Sequence, residues 1–121
     1  MAEIILDNFT YWLKNRLQRV LPGMSAHQRM APPSRFVDKK RYIPNEKTRQ
    51  GGVLILVYPH EDRWYFPLIL RPENTGVHSG QVALPGGKMD EEDNDIIDTA
   101  LRETEEEIGV AVARSQVLGR A

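Results

Sequence analysis

The spacing of apolar residues along the chain changes three times, and each change marks an element. In residues 3–21, Ile5, Phe9, Trp12, Leu13, Leu17 and Val20 recur at steps close to three and four, the stripe of an amphipathic helix that Pro22-Gly23 stops. Lys14, Arg16 and Arg19 line its polar side. A stripe of this kind is more often core than membrane anchor, so the helix is expected to pack on the domain or on a second subunit of a homodimer. From Gly23 to Gly51 no period holds, and Pro32, Pro33 and Pro44 with scattered basic residues predict a long irregular arm over residues 23–50. His27, Arg29, Arg35, Lys39, Lys40 and Arg41 in that arm are read as solvated charges rather than as a site. Residues 53–58 and 64–70 are then strand-like runs, a buried central strand and its antiparallel partner joined by a hairpin connection over 59–63. Pro67 places the second of them at an edge or a bulge. Residues 81–84 give a short third strand that leads into Pro85-Gly86-Gly87, read as a turn.

The last pattern is helical again and carries the chemistry. Asp93 or Asp95 can cap its start and Gly109 can end it. Between them Ile97, Leu101, Thr104 and Ile108 form an inward stripe, with Ala100 alongside. At about 100° per residue, Glu103, Glu106 and Glu107 fall within one arc of roughly 100° off that buried face. Like charges three and four residues apart oppose a helix by a few tenths of a kcal/mol per pair, so a cation among them is expected. Oxygen ligands without histidine or cysteine suit a hard ion, Mg²⁺ or Mn²⁺. For glutamates alone a solvated acidic face is the better account, and it is the company they keep that changes the balance.

Gly87 followed by Arg102-Glu103-Thr104-Glu105-Glu106-Glu107-Ile108-Gly109-Val110 resembles the box of the Nudix hydrolases. Asp93 stands where that pattern has its first glutamate, eight residues rather than seven separate it from Arg102, and Thr104 replaces an aliphatic residue. Upstream, Leu68-Ile69-Leu70-Arg71 and His78-Ser79-Gly80-Gln81-Val82-Ala83-Leu84-Pro85-Gly86-Gly87 look like the coenzyme A pyrophosphatase branch, which carries the same extra residue. The resemblance covers about residues 51–119. It implies an α/β fold, the Nudix α/β/α sandwich with a mixed sheet, cut short here after the helix that bears the glutamates. Further strands and a second helix would then belong to a longer protein, or a second copy would cover the open sheet face.

The same resemblance implies hydrolysis of a diphosphate linkage in a small nucleoside diphosphate substrate, with coenzyme A or a derivative first in line. ADP-ribose, a dinucleoside polyphosphate, or a non-catalytic binding module are the alternatives. Glu103, Glu106 and Glu107 would hold Mg²⁺ or Mn²⁺ near the Gly87 backbone. Glu103 and Glu106, oriented by Arg102, would form the catalytic set, although spacing does not assign the base. Arg71 is the candidate for substrate phosphate, since a planar guanidinium matches that geometry. His78, alone in its loop, is read as a structural hydrogen-bonding residue.

Composition narrows the partners. In 121 residues, enough for one domain, 16 basic side chains nearly balance 17 acidic ones, which gives no electrostatic case for nucleic acid or an anionic membrane as the main partner. Cysteine is absent, excluding disulfides and thiolate metal sites and fitting a reducing cytoplasm. No apolar run reaches the ~20 residues of a membrane span.

Overall fold

A computed structural model describes residues 2–33 and 43–121, with the backbone alone for residues 2–7. Its elements in order are helix α1 (Ala2–Leu17), helix α2 (Met24–Met30) and strands β1 (Gly51–Val53), β2 (Tyr58–His60), β3 (Arg63–Tyr65), β4 (Ile69–Leu70), β5 (Val82–Ala83) and β6 (Gly86–Lys88). Helix α3 (Ile96–Ile108) and a 3₁₀ turn (Arg114–Gln116) complete the chain. The three ladders among the described residues are antiparallel pairs, β1 with β6, β2 with β3 and β4 with β5. The fold is of the α/β class, with α3 laid across the β1–β6 pair as its centre.

That centre is built on glycine. Gly51, Gly52 and Val53 pair with Lys88, Gly87 and Gly86, and the ladder is prolonged by bonds from Leu54 N–H to the Pro85 carbonyl and from Met89 N–H to the Gln50 carbonyl. Pro85-Gly86-Gly87 is therefore strand and strand entry, where a tight turn was expected. The reason is the helix above it. A Cβ on Gly52 would stand 2.6 Å from the Ile96 carbonyl oxygen, 3.1 Å from Ile96 Cγ1 and 3.4 Å from Ala100 Cβ. Only backbone fits between α3 and this strand, so the most buried face of α3 is its small one. Thr99, Ala100 and Thr104 are buried, while Ile97, Leu101 and Ile108 flank them half-buried. The Thr104 hydroxyl donates to the Ala100 carbonyl at 2.7 Å, which lets a polar residue stand where the Nudix pattern has an aliphatic one.

Both ends of α3 follow the sequence. Asp95 is the N-cap, its carboxylate accepting from the Asp98 N–H at 3.0 Å, and Gly109 closes the helix with φ 72°. Beyond it the 3₁₀ turn is followed by irregular backbone at residues 117–118. Arg114 on that turn reaches back to both oxygens of Asp95 and to Asp98 Oδ1, 2.7 Å away. The hydrogen bonds from Arg114 hold the Asp95 carboxyl well below the usual carboxylate range.

The hairpin is tighter than expected. β2 and β3 pair Tyr58 with Tyr65 and His60 with Arg63, and Glu61-Asp62, both at positive φ (45° and 62°), form a two-residue turn whose twist matches the strands. The run 53–58 thus divides between two ladders and does not pair as a unit with 64–70. Pro67 lies in the break between β3 and β4. Phe9 of α1 packs against Trp64 of β3 with the rings tilted by 39° and their centroids 4.8 Å apart, and Leu17 lies against the backbone at Gly119. The α1 stripe is therefore only partly used, since Trp12 and Val20 are exposed. The side chain of Ile5 and the arm residues Arg35, Lys39, Lys40 and Arg41 lie outside the described residues. The arm is not wholly irregular, because α2 occupies part of it. No residue of α2 is buried, so no apolar stripe announced it.

Two outcomes test this packing. Gly52→Ala sets a new methyl against a backbone carbonyl that cannot rotate away. It should destabilise the chain by about 3 kcal/mol in urea unfolding, at the upper end of overpacking costs. The Arg114–Asp95 pair should be acid-sensitive. Because folding lowers the Asp95 pKa from 3.8, its contribution is complete above about pH 4 and is lost as the pH falls through the lower folded value. Arg114→Gln should be less stable than the parent at pH 7, and the gap should narrow below pH 4.

Candidate functional site

The candidate site lies where α3 meets β6, and Arg102 is its hub. Arg102 Nε donates to Asp93 Oδ1 at 3.0 Å and Nη2 to Asp93 Oδ2 at 2.9 Å, a two-pronged pair between the helix and the loop before it. Nη2 also donates to the Lys88 carbonyl at 3.1 Å, which fastens the end of β6. The remaining prong, Nη1, meets Glu103 Oε1 at 3.0 Å and lies 3.4 Å from Glu106 Oε1. One guanidinium therefore joins loop, strand and two of the three glutamates.

Asp93 is the counterpart that makes this geometry possible. Its side chain is only 5% exposed, and a buried carboxylate needs every lone pair engaged. Besides Arg102, Oδ2 accepts from the Thr99 hydroxyl and from the Asp90 N–H, each at 2.9 Å. The hydrogen bonds from Arg102 hold the Asp93 carboxyl well below the usual carboxylate range, and the same pairing raises the Arg102 pKa further above its ordinary value. Asp93 is a positioning residue, and so is Thr99, which the sequence reading passed over. The signal for Asp93 was its place at the first acid of the box. Nothing in the spacing marked Thr99.

The three glutamates share one flank of α3 but have different settings. Glu103 is 20% exposed and packs against β6: a Cβ on Gly87 would meet its Oε1 at 2.5 Å and its Oε2 at 2.6 Å. Gly87 and Glu103 are thus brought together, and the missing side chain of one is the seat of the other. Glu107 turns to the strand as well, its Oε2 accepting from the Gly86 N–H at 2.9 Å. Glu106 is 59% exposed and, among the described residues, its carboxylate pairs with Arg102 alone. Among the described residues no three acidic or histidine side chains form a group able to hold a metal ion as they stand. The chemistry of the set still fits a hard divalent ion. All its donors are oxygen, and such ions draw part of their shell from water and phosphate.

Arg71 and His78 are not part of this cluster of contacts. The Arg71 N–H donates to the Gln81 carbonyl at 2.9 Å and extends the β4–β5 ladder. Its half-buried side chain has no hydrogen bond or ion pair among the described residues. His78, at φ 76°, pairs its Nδ1 with Gln81 Oε1 at 3.0 Å inside its own loop. In the same loop Ser79 Oγ accepts from the Asn74 N–H and Asn74 Oδ1 from the Gly76 N–H.

Comparison with known proteins agrees with this reading of the box. The NUDIX domain matches residues 48–121. The chain is 33% identical over 130 residues to the uncharacterized Nudix hydrolase NudL of Yersinia pestis (strain Pestoides F), a match covering 99% of this chain and 55% of that protein. The figures are the same for the protein of that name from Yersinia pseudotuberculosis serotype O:1b (strain IP 31758). The chain thus spans about half the length of the curated relatives it matches. No solved structure matches it. An intact Arg-Glu-x-x-Glu-Glu run on a helix seated against Gly87, together with a domain match over more than half the sequence, shows that this chain belongs to the Nudix family.

Proposed function

We propose that this chain carries the carboxylate centre of a metal-dependent diphosphatase that acts on coenzyme A or a related nucleoside diphosphate derivative. The observation that carries the proposal is the Glu103 carboxylate, seated on the side-chain-free backbone of Gly87 and held there by Arg102, with Glu106 and Glu107 on the same flank. Glu103, Glu106 and Glu107 are the residues that would hold Mg²⁺ or Mn²⁺. An ion bound by them supplies charge neutralisation on the diphosphate and a more acidic water.

The chain's own groups do the rest. Arg102 keeps Glu103 from swinging away, and Asp93 in turn fixes Arg102, so the acid stays aimed at the strand before any ligand arrives. Glu103 and Glu106 are the groups placed to accept a proton from the attacking water. Attack of the water oxygen on phosphorus breaks the bridging P–O bond and yields two monophosphates. Arg71, its guanidinium uncommitted to another side chain, is the proposed contact for a substrate phosphate. Coenzyme A leads among substrates because the run from His78 to Gly87 is similar to that of the coenzyme A pyrophosphatase branch.

Three measurements on the full-length protein test this. Glu106→Gln and Glu107→Gln should each lower Mg²⁺-dependent turnover by about a hundredfold or more, the scale seen when a charge-stabilising group is removed. Retention of full turnover by both would show the site to be misplaced. Arg102→Lys keeps the charge but not the two-pronged geometry. It should lower turnover while leaving KM within a few-fold, because the residue positions acids and does not bind substrate. Side by side, coenzyme A should be turned over faster than ADP-ribose or a dinucleoside polyphosphate. The reverse order would move the assignment to another substrate with the same chemistry.

A further inference from the structure

We propose that the surface formed by the C-terminal half of α1, by α2 and by the segment joining them is a docking face for an anionic lipid bilayer. The overall charge balance conceals how unevenly the charge is placed. Residues 8–33 hold Lys14, Arg16, Arg19 and Arg29 and no aspartate or glutamate. Among the described residues none of these four cations is in an ion pair. Interleaved with them are large apolar side chains turned to solvent: Tyr11 is 72% exposed, Trp12 59%, Val20 95%, Met24 69% and Met30 90%. Trp12, Arg16 and Arg19 meet around one shallow notch, with Asn15 as its fourth wall. An indole ring flanked by guanidinium groups is the combination that sits at the level of lipid headgroups, ring toward the acyl chains and charge toward phosphate.

A second observation points the same way. All seven residues of α2 are exposed and its Gly23 N-cap provides no side-chain bond. A helix of two turns with no buried face and no cap is marginal in water and owes its stability to something packed against it. An interface whose apolar layer accepts the exposed side chains of Met24 and Met30 and whose headgroups pair with Arg29 supplies that. Docking would be shallow, since no helix among the described residues is long and apolar enough to cross a membrane. The inner side of α1, where Phe9 rests on Trp64, stays with the domain, so the outer arc is free to meet the bilayer without unfolding anything.

The test is sedimentation of the 121-residue chain with phosphatidylcholine vesicles and with vesicles of equal parts phosphatidylcholine and phosphatidylglycerol, at low and high salt. The chain should be retained on the anionic vesicles alone and released as salt is raised. Arg16→Gln/Arg19→Gln should weaken binding by about fivefold for each cation removed, the equivalent of roughly 1 kcal/mol apiece. Arg19 is exposed and Arg16 is half-buried with its Nη1 on the Val20 carbonyl at 3.3 Å, and circular dichroism should show the helix content of the double variant unchanged. Tryptophan emission should shift to the blue on binding, and Trp12→Phe should abolish that shift. Equal retention on both vesicles, retention on neither, or a double variant that binds like the parent would overturn the proposal. So would a dimer, detected by ultracentrifugation and broken by the same double variant, because the face would then belong to a second copy of the chain.

Discussion

The pairing of Arg102 with Asp93 is the constraint on which the rest of the site depends. Two parallel N–H···O bonds between a helix and the loop that feeds it fix the direction of the guanidinium. Its remaining donors then reach a strand carbonyl and a glutamate without further ordering. Asp93 can play this part in an almost closed environment because Thr99 and the Asp90 N–H satisfy what Arg102 leaves over. A buried carboxylate lacking any of these partners would favour opening of the loop. With all of them, loop, helix and strand are held as one piece, and the Nudix box reads as a hydrogen-bonded lock before it reads as a set of ligands.

The sequence reveals most where a residue type has one job. Asp95 and Gly109 were legible as helix ends because a short acceptor and a left-handed glycine are the usual solutions there. The glutamate flank followed from helical geometry, and its meeting with Gly87 followed from the family resemblance. The misreadings share a cause: they turn on tertiary contact. Pro85-Gly86-Gly87 has the composition of a turn, yet Gly86 serves the close approach of β1 and Gly87 that of Glu103 on α3, not chain reversal. The split of residues 53–58 between two ladders depends on β6, some thirty residues away, which no local propensity announces. Helix α2, with no buried side, carries no periodic pattern at all. Thr99 was invisible for the same reason, since its importance lies in a partner six residues back and in complete burial.

The charge distribution shows the same limit of whole-chain quantities. A net charge of −1 describes a molecule with neither strong attraction nor strong repulsion toward anions. Its charge is nonetheless unevenly placed: residues 8–33 carry four lysines and arginines and no acid, whereas acids crowd α3 and the loop before it. Fields fall off within about a Debye length, so each end acts on its own surroundings and the total matters little to either.

The two acids that flank Arg102 differ in freedom. Glu103 is wedged between a guanidinium and a strand with no side chain, leaving its torsions little room, whereas Glu106 projects into water and keeps its full rotamer range. The pair works like a vice with one fixed jaw and one sliding jaw. In the proposed site, an ion of slightly larger or smaller radius would be met by readjustment at position 106, with position 103 as the fixed reference.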